Sequence, residues 1–159
     1  MSDAIDLFII VFICLLIVRF CAPAEKVSVE LDPTNPYVGT LESSEINPKV
    51  PPDILYRLIE SESSWDAKAV NKTKNEHSVG LAQVNMKWLE YFRRIYKISD
   101  PRDSVQAVQF VEDILYDIYL TTGSWYEACL AYKCGLEGRK DAPGDIKAIC
   151  RWVVEGGER

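Results

Sequence analysis

Histidine is almost absent. His77 is the only one in 159 residues, so a metal centre has little to build on, and the five cysteines are not spaced as zinc ligands. A basic stripe is missing too. Eighteen lysines and arginines face 24 acids, a net charge of −6, and nothing offers a row of cations to neutralise phosphates. That excludes a nucleic-acid binder and leaves the acidity as a matter of solubility. No uncharged apolar run reaches the roughly 20 residues of an ordinary membrane span. Internal repeats and strand-like alternation of any consequence are lacking as well. What remains is an ordinary globular composition, 48% hydrophobic and 26% charged, in a chain long enough for one domain with a real core.

The longest apolar run, Leu7 to Val18, is bounded by Asp6 and Arg19. It has the length of the apolar region of an export signal, and Ala22-Pro23-Ala24 supplies small residues for a cut before Glu25. Asp3 and Asp6 stand where a signal carries positive charge, so an uncleaved membrane anchor stays open beside the cleaved leader. A lipoprotein signal is disfavoured because Cys21 follows the bulky Phe20. Leader and anchor alike put the rest of the chain outside the cytoplasm. Residues 1–24 are thus read as signal or anchor. Residues 25–50, punctuated by Pro33, Pro36 and Pro48, are read as a linker or extended arm, and 51–159 as the domain.

Cleavage would discard Cys14 and Cys21 and leave Cys129, Cys134 and Cys150, an odd number that allows one internal bridge. The favoured pair is Cys134 with Cys150, because Cys129 falls on the core stripe of its helix. Three buried or free thiols are the alternative.

Pro51-Pro52-Asp53 is a good helix start, and the helix is expected to run to about Ser63. Ile54, Leu58 and Glu62 recur at i, i+4 and i+8 with Leu55 and Ile59 beside them, while Glu60 falls on the solvent side. Glu62 therefore sits on an apolar stripe near a helix C-terminus, where desolvation and the helix dipole both disfavour the anion. Such a carboxyl suits a general acid. The bland alternative is a partly exposed glutamate at a fraying helix end. Asp66 to Ser78 reads as loop. Asn85 caps a second helix whose Met86, Leu89, Phe92 and Tyr96 share a face. Asp103 with Gln106 opens a third, with Val105, Val108, Ile114, Leu115 and Ile118 toward the core and Phe110 and Val111 at its flank. Ser124 with Glu127 opens a fourth, carrying Trp125, Ala128, Cys129 and Tyr132 on one stripe and closing at Gly135. A last helix runs through Ile146, Ile149, Cys150 and Val153. The fold class is all-α, or nearly so.

Three separated blocks line up with one family. ESSWDAKAV at Glu62 to Val70, VGLAQVN at Val79 to Asn85 and LAYKCG at Leu130 to Gly135 resemble, in order, three blocks of the lytic transglycosylases with a goose-lysozyme-like (SLT) fold. These are the glutamate-serine-x-aromatic, glycine-leucine-x-glutamine and alanine-tyrosine-asparagine-x-glycine blocks. The resemblance spans about Pro51 to Val154. It implies a lysozyme-like domain that cleaves peptidoglycan, with no cofactor and no metal. The family's catalytic acid falls on Glu62, the residue that periodicity selects independently.

Carried over by position, Ser63 becomes a local support or substrate contact, and Trp65 takes the aromatic place, with packing beneath the cleft favoured over sugar stacking. Gly80 permits close backbone approach. Gln83 would offer its amide to the glycan, Asn85 joins it as a substrate contact, and the Tyr132 hydroxyl would bond the carboxyl or the substrate. For Tyr132 a core tyrosine with a satisfied hydroxyl stands as the alternative. Two positions depart from the pattern: Ala82 replaces the usual methionine at the cleft floor, and Lys133 replaces the usual asparagine. A cation at 133 would favour the anionic form of Glu62 if it reaches that far.

Most glycosidases need two carboxylates, and here no second acid has an evident partner position. The resemblance implies a scheme with Glu62 as sole acid and base, forming a 1,6-anhydromuramic product. A water-using muramidase of the same fold is one alternative. A glycan-binding module without turnover, within a secretion apparatus or a virion assembly, is another. The expected partner is the peptidoglycan glycan strand, with membrane contact only through the N-terminal segment if that is uncleaved, in the periplasm or cell envelope.

Overall fold

Helix α1, Pro52–Ser63, begins where two prolines meet in the sequence. Pro52 fits the first turn because its missing N–H would have had no helical partner, and Asp53 adds an acid at the positive end of the dipole. Ile54, Leu55, Leu58 and Ile59 are buried, so the expected stripe faces the core. The helix stops at Ser64, which takes a left-handed conformation and returns its N–H to the Glu60 carbonyl. The computed structural model describes residues 49–74 and 76–157. The leader or anchor expected at 1–24, and all but the last two residues of the 25–50 arm, lie outside the described residues.

After α1 the chain makes a small antiparallel sheet where the sequence reads as loop. Strands β1 (Val70–Lys72), β2 (His77–Val79) and β3 (Val84–Asn85) lie in that order, with Val70 opposite Val79 and Ser78 opposite Asn85. All of β1 and His77 in β2 are exposed. So short and half-wet a hairpin carries no alternating apolar pattern to betray it.

Asn85 caps as expected, its Oδ1 accepting from the Lys87 N–H at 3.0 Å. What it caps is a 3₁₀ turn, Met86–Trp88, which leads into helix α2, Leu89–Tyr96. Helix α3, Ser104–Thr122, is capped by Asp103, whose Oδ1 accepts from the Gln106 N–H. The box is not reciprocal, because the Gln106 side chain accepts from the N–H groups of Ser99 and Asp100. Helix α4 spans Trp125–Gly138 with Ser124 at its N-cap and a break at Gly135, whose φ of 79° is outside the helical region. A second 3₁₀ turn, Arg139–Asp141, precedes helix α5, Gly144–Glu155.

The core forms where α3 packs on α4 and α1, and α5 on α1 and α4. The buried face of α3 is rotated from the expected one. Ala107, Val108, Phe110, Val111 and Leu115 are buried, whereas Val105 is 63% exposed. The reason is α2, which lays Phe92 and Tyr96 against Phe110, with ring centroids 5.0 and 5.6 Å apart, and so draws Phe110 inward. Arg57 ties α1 to α5 by donating to the Val153 carbonyl at 2.7 Å, and Lys49 ties the end of the arm to α3 through Asp113. The described architecture is helical with one minor sheet, in keeping with an all-α lysozyme-like domain.

Candidate active site

Glu62 stands on the last turn of α1, at the wall of a cleft of about 620 Å³. The hairpin, the β3 strand, α3 and α4 supply the other walls. Ala82, Gln83, Asn85, Tyr132 and Lys133, all singled out by the sequence, line the same cleft although up to 71 residues separate them from Glu62. Phe92, Phe110, Ile114 and Ile118 make one side apolar. A groove with an apolar side and a few convergent polar groups suits a sugar chain, which offers both ring faces and hydroxyls.

The backbone around Glu62 is unusual. Ser64 and Trp65 take positive φ in succession, 51° and 62°, and Gln83 across the cleft does so at 45°. Each such non-glycine residue costs on the order of 1 kcal/mol and persists only when its surroundings hold it. Ser63 supplies part of the hold, donating from Oγ to the Leu81 carbonyl at 2.9 Å. It thereby locks α1 to the turn before β3, and it does not line the cleft. Trp65 is buried, 7% exposed, with its ring 5.0 Å from that of Tyr56. Its surroundings are those of a packing residue.

Gly80 is also a packing residue. Its φ is +77°, and a Cβ there would come within 1.9 Å of the Pro101 carbonyl oxygen. The close approach is therefore to the chain before α3, not to the cleft. Gln83 faces the cleft and donates from Nε2 to the Gly80 carbonyl at 3.0 Å. Ala82 is fully enclosed, and its carbonyl accepts the Tyr132 hydroxyl at 2.7 Å. The hydroxyl expected to bond the carboxyl or the substrate is thus satisfied by the backbone, as the alternative of a core tyrosine had it, because the turn at Ala82 lies within reach of the ring. Burial holds this phenol well above its ordinary pKa, and the negative charge of Glu62 nearby adds to the shift. Tyr132 is a proton-bearing donor throughout the neutral range.

Lys133 does reach Glu62. Its Nζ lies 2.7 Å from Oε1, with the two side chains 8% and 15% exposed. An ammonium–carboxylate contact of this length is a charge-assisted hydrogen bond, and removing one partner of so enclosed a pair costs ~3 kcal/mol. No other cation lines the cleft among the described residues. In this arrangement Glu62 accepts a hydrogen bond from Lys133 at Oε1.

All three cysteines among the described residues are free thiols, as the alternative reading had them, and the favoured Cys134–Cys150 bridge is not made. Cys150 meets Cys129, not Cys134: the two sulfurs are 2.6 Å apart and fully buried between α4 and α5. Cys134 instead lines the cleft. The stripe that carries Cys129 into the core is the same one that faces α5, so its core position brings it to Cys150. The Cys129 thiol is pushed far up by its contact with Cys150 and by burial.

Glu76 and Trp88 also line the cleft and had no marker in the linear chain strong enough to select them. Glu76 sits just before β2 and accepts from the Ser78 hydroxyl at 3.0 Å. Trp88 is 52% exposed, with the Lys87 ammonium 5.4 Å from its ring centre. The available signal for Trp88 was an aromatic residue lying off the stripe of Met86, Leu89, Phe92 and Tyr96.

Residues 40–147 match the family model of the transglycosylase SLT domain, and over that extent the chain belongs to this family, whose members act on peptidoglycan. No curated protein and no solved structure matches the chain.

Proposed function

We propose that this SLT-family chain cleaves the β-1,4 bond between N-acetylmuramic acid and N-acetylglucosamine without water, with Glu62 as the acid and then the base. Glu62 gives its proton to the glycosidic oxygen as that oxygen leaves the muramic anomeric carbon. The muramic 6-hydroxyl attacks the same carbon and returns its proton to Glu62, so the carboxyl is regenerated and a 1,6-anhydro ring closes. The nucleophile is part of the substrate, which replaces the positioning of a water by proximity. The observation that carries the reading is the enclosure of Glu62 in the one cleft that also gathers Gln83, Asn85 and Tyr132. Trp88, exposed at the edge of that cleft, offers a stacking face for a neighbouring sugar.

Glu76 favours a second reading. It is a second carboxylate lining the cleft of Glu62, and it could serve as the base that activates water in a hydrolytic muramidase. Digesting purified peptidoglycan in ¹⁸O-labelled water and weighing the fragments separates the two. Anhydromuramic ends without label support the first, and labelled reducing ends abolished by Glu76→Gln support the second. The absence of any new fragment leaves a glycan-binding module. With a wall polymer as substrate, an exported protein is the natural setting, with residues 1–24 as leader or anchor and 25–50 as a tether. Service to a secretion apparatus or a virion fits that setting equally.

A further inference from the structure

The Glu62–Lys133 pair raises a problem that the proposed chemistry must solve. A carboxylate paired with an ammonium is not a proton donor, so Glu62 has to take up a proton from solvent, and lose its charge, before the glycosidic oxygen is protonated. Lys133 then keeps a positive charge on a side chain only 8% exposed. An enclosed ammonium without a counter-charge is strongly disfavoured, so a new acceptor has to arrive as the old one is released. The protein has little to offer. The Tyr132 hydroxyl donates to the Ala82 carbonyl, the Glu76 carboxylate lines the cleft without pairing with Lys133, and the amides of Gln83 and Asn85 are neutral acceptors. A neutral acceptor hydrogen-bonds an enclosed ammonium but leaves its charge unpaired, which only an anion offsets. The incoming group that balances the exchange best is therefore an anion borne by the substrate.

We propose that Lys133 is a receptor for the free lactyl carboxylate of an N-acetylmuramic acid that has lost its stem peptide, and that this exchange of partners lets Glu62 take up from solvent the proton it gives in catalysis. The proposal rests on the peptidoglycan reading above. Carboxylates occur on such a strand in two places, the lactyl group itself and the acids of the stem peptide. The lactyl ether is attached to the same ring as the anomeric carbon attacked in the reaction, whereas the stem acids lie beyond at least one amino-acid residue. Lys133 touches the group assigned to the scissile oxygen, so the nearer carboxylate is the one in reach. When a stem peptide is attached, the lactyl carbonyl is an amide without charge, and the pair has nothing to open for. Denuded strands are then the selected substrate, and the reaction that supplies them is hydrolysis of the amide joining peptide to muramic acid.

Equilibrium binding of the full chain to three glucosamine–muramic oligomers tests this. One carries the free lactyl carboxylate, one its methylamide, and one the intact stem peptide. The free acid should bind about tenfold more tightly than the methylamide, a difference of one charge-assisted contact. The stem-peptide oligomer should bind like the methylamide. Lys133→Gln should erase the preference, and Lys133→Arg, which keeps the charge, should retain it. Equal binding of acid and methylamide overturns the proposal, as does a preference that survives Lys133→Gln or the failure of all three to bind. Tight binding of the stem-peptide oligomer alone assigns the cation to a stem carboxylate and equally overturns it. The readout needs no turnover, so a chain that binds selectively but leaves the strand uncut contradicts the cleavage reading and not this one.

Discussion

Lys133 Nζ and Glu62 Oε1 lie 2.7 Å apart across the joint between α4 and α1. A double-mutant cycle on thermal or denaturant unfolding measures this contact directly. Glu62→Gln and Lys133→Gln should each destabilise, and the pair should show a coupling on the order of 1–3 kcal/mol. Additive single effects would mean that the two side chains do not pair in solution.

Gly80 is where a single methyl group should do the most harm. Gly80→Ala adds a Cβ within 1.9 Å of the Pro101 carbonyl oxygen at a φ of +77°, so both contact and backbone oppose it. The expected loss is ~3 kcal/mol or more, seen as a lowered unfolding midpoint. A loss below about 1 kcal/mol, which a surface substitution can reach, would show that the turn between β2 and β3 shifts freely.

Refolding in a glutathione redox buffer should join Cys129 to Cys150, the two thiols losing two protons and two electrons to the disulfide oxidant. Their sulfurs are already 2.6 Å apart between α4 and α5. Cys134 should remain open to alkylation, and peptide mapping reads both results. A peptide linking Cys134 to Cys150 would refute the observed arrangement of α4 against α5.

Alkaline pH should weaken the fold through Tyr96, whose hydroxyl is pushed up to about 12 by burial and by the charge of Asp117. The folded state holds this proton more tightly than the unfolded one, so the contribution is complete below pH 10 and is lost as pH rises toward 12. Denaturant midpoints across that window should fall less steeply for Tyr96→Phe than for the wild-type chain. Parallel slopes would contradict the assignment.

How far the linear chain reveals this molecule depends on the range of each interaction. Local signals were reliable. The limits of α1, the caps at Asn85, Asp103 and Ser124 and the break at Gly135 all follow from residues within a turn of one another. The hairpin was not legible, because three-residue strands with exposed faces carry no periodic pattern. The rotation of α3 was hidden for a different reason. Its inward face is decided by Phe92 and Tyr96 on another helix, and Val105 looks as apolar as any core residue until that partner is known.

The site divides in the same way. Glu62 could be selected from the stripe of its own helix, and Lys133 stood out as a departure from the family's asparagine. Their contact joins residues 71 positions apart and depends on where α4 crosses α1. Where α4 meets the turn before β3, and where it meets α5, decides that the Tyr132 hydroxyl goes to Ala82 and the Cys150 sulfur to Cys129, two choices among near neighbours that periodicity alone does not rank.

Cleavage as proposed turns on one carboxyl, that of Glu62. Purified peptidoglycan digested by the wild-type chain and by Glu62→Gln is analysed for anhydromuramic fragments by mass spectrometry. The wild-type chain should release them, and the variant, which keeps the side-chain shape but has no acid, should release at least ~100-fold less. Undiminished release by Glu62→Gln would contradict the account.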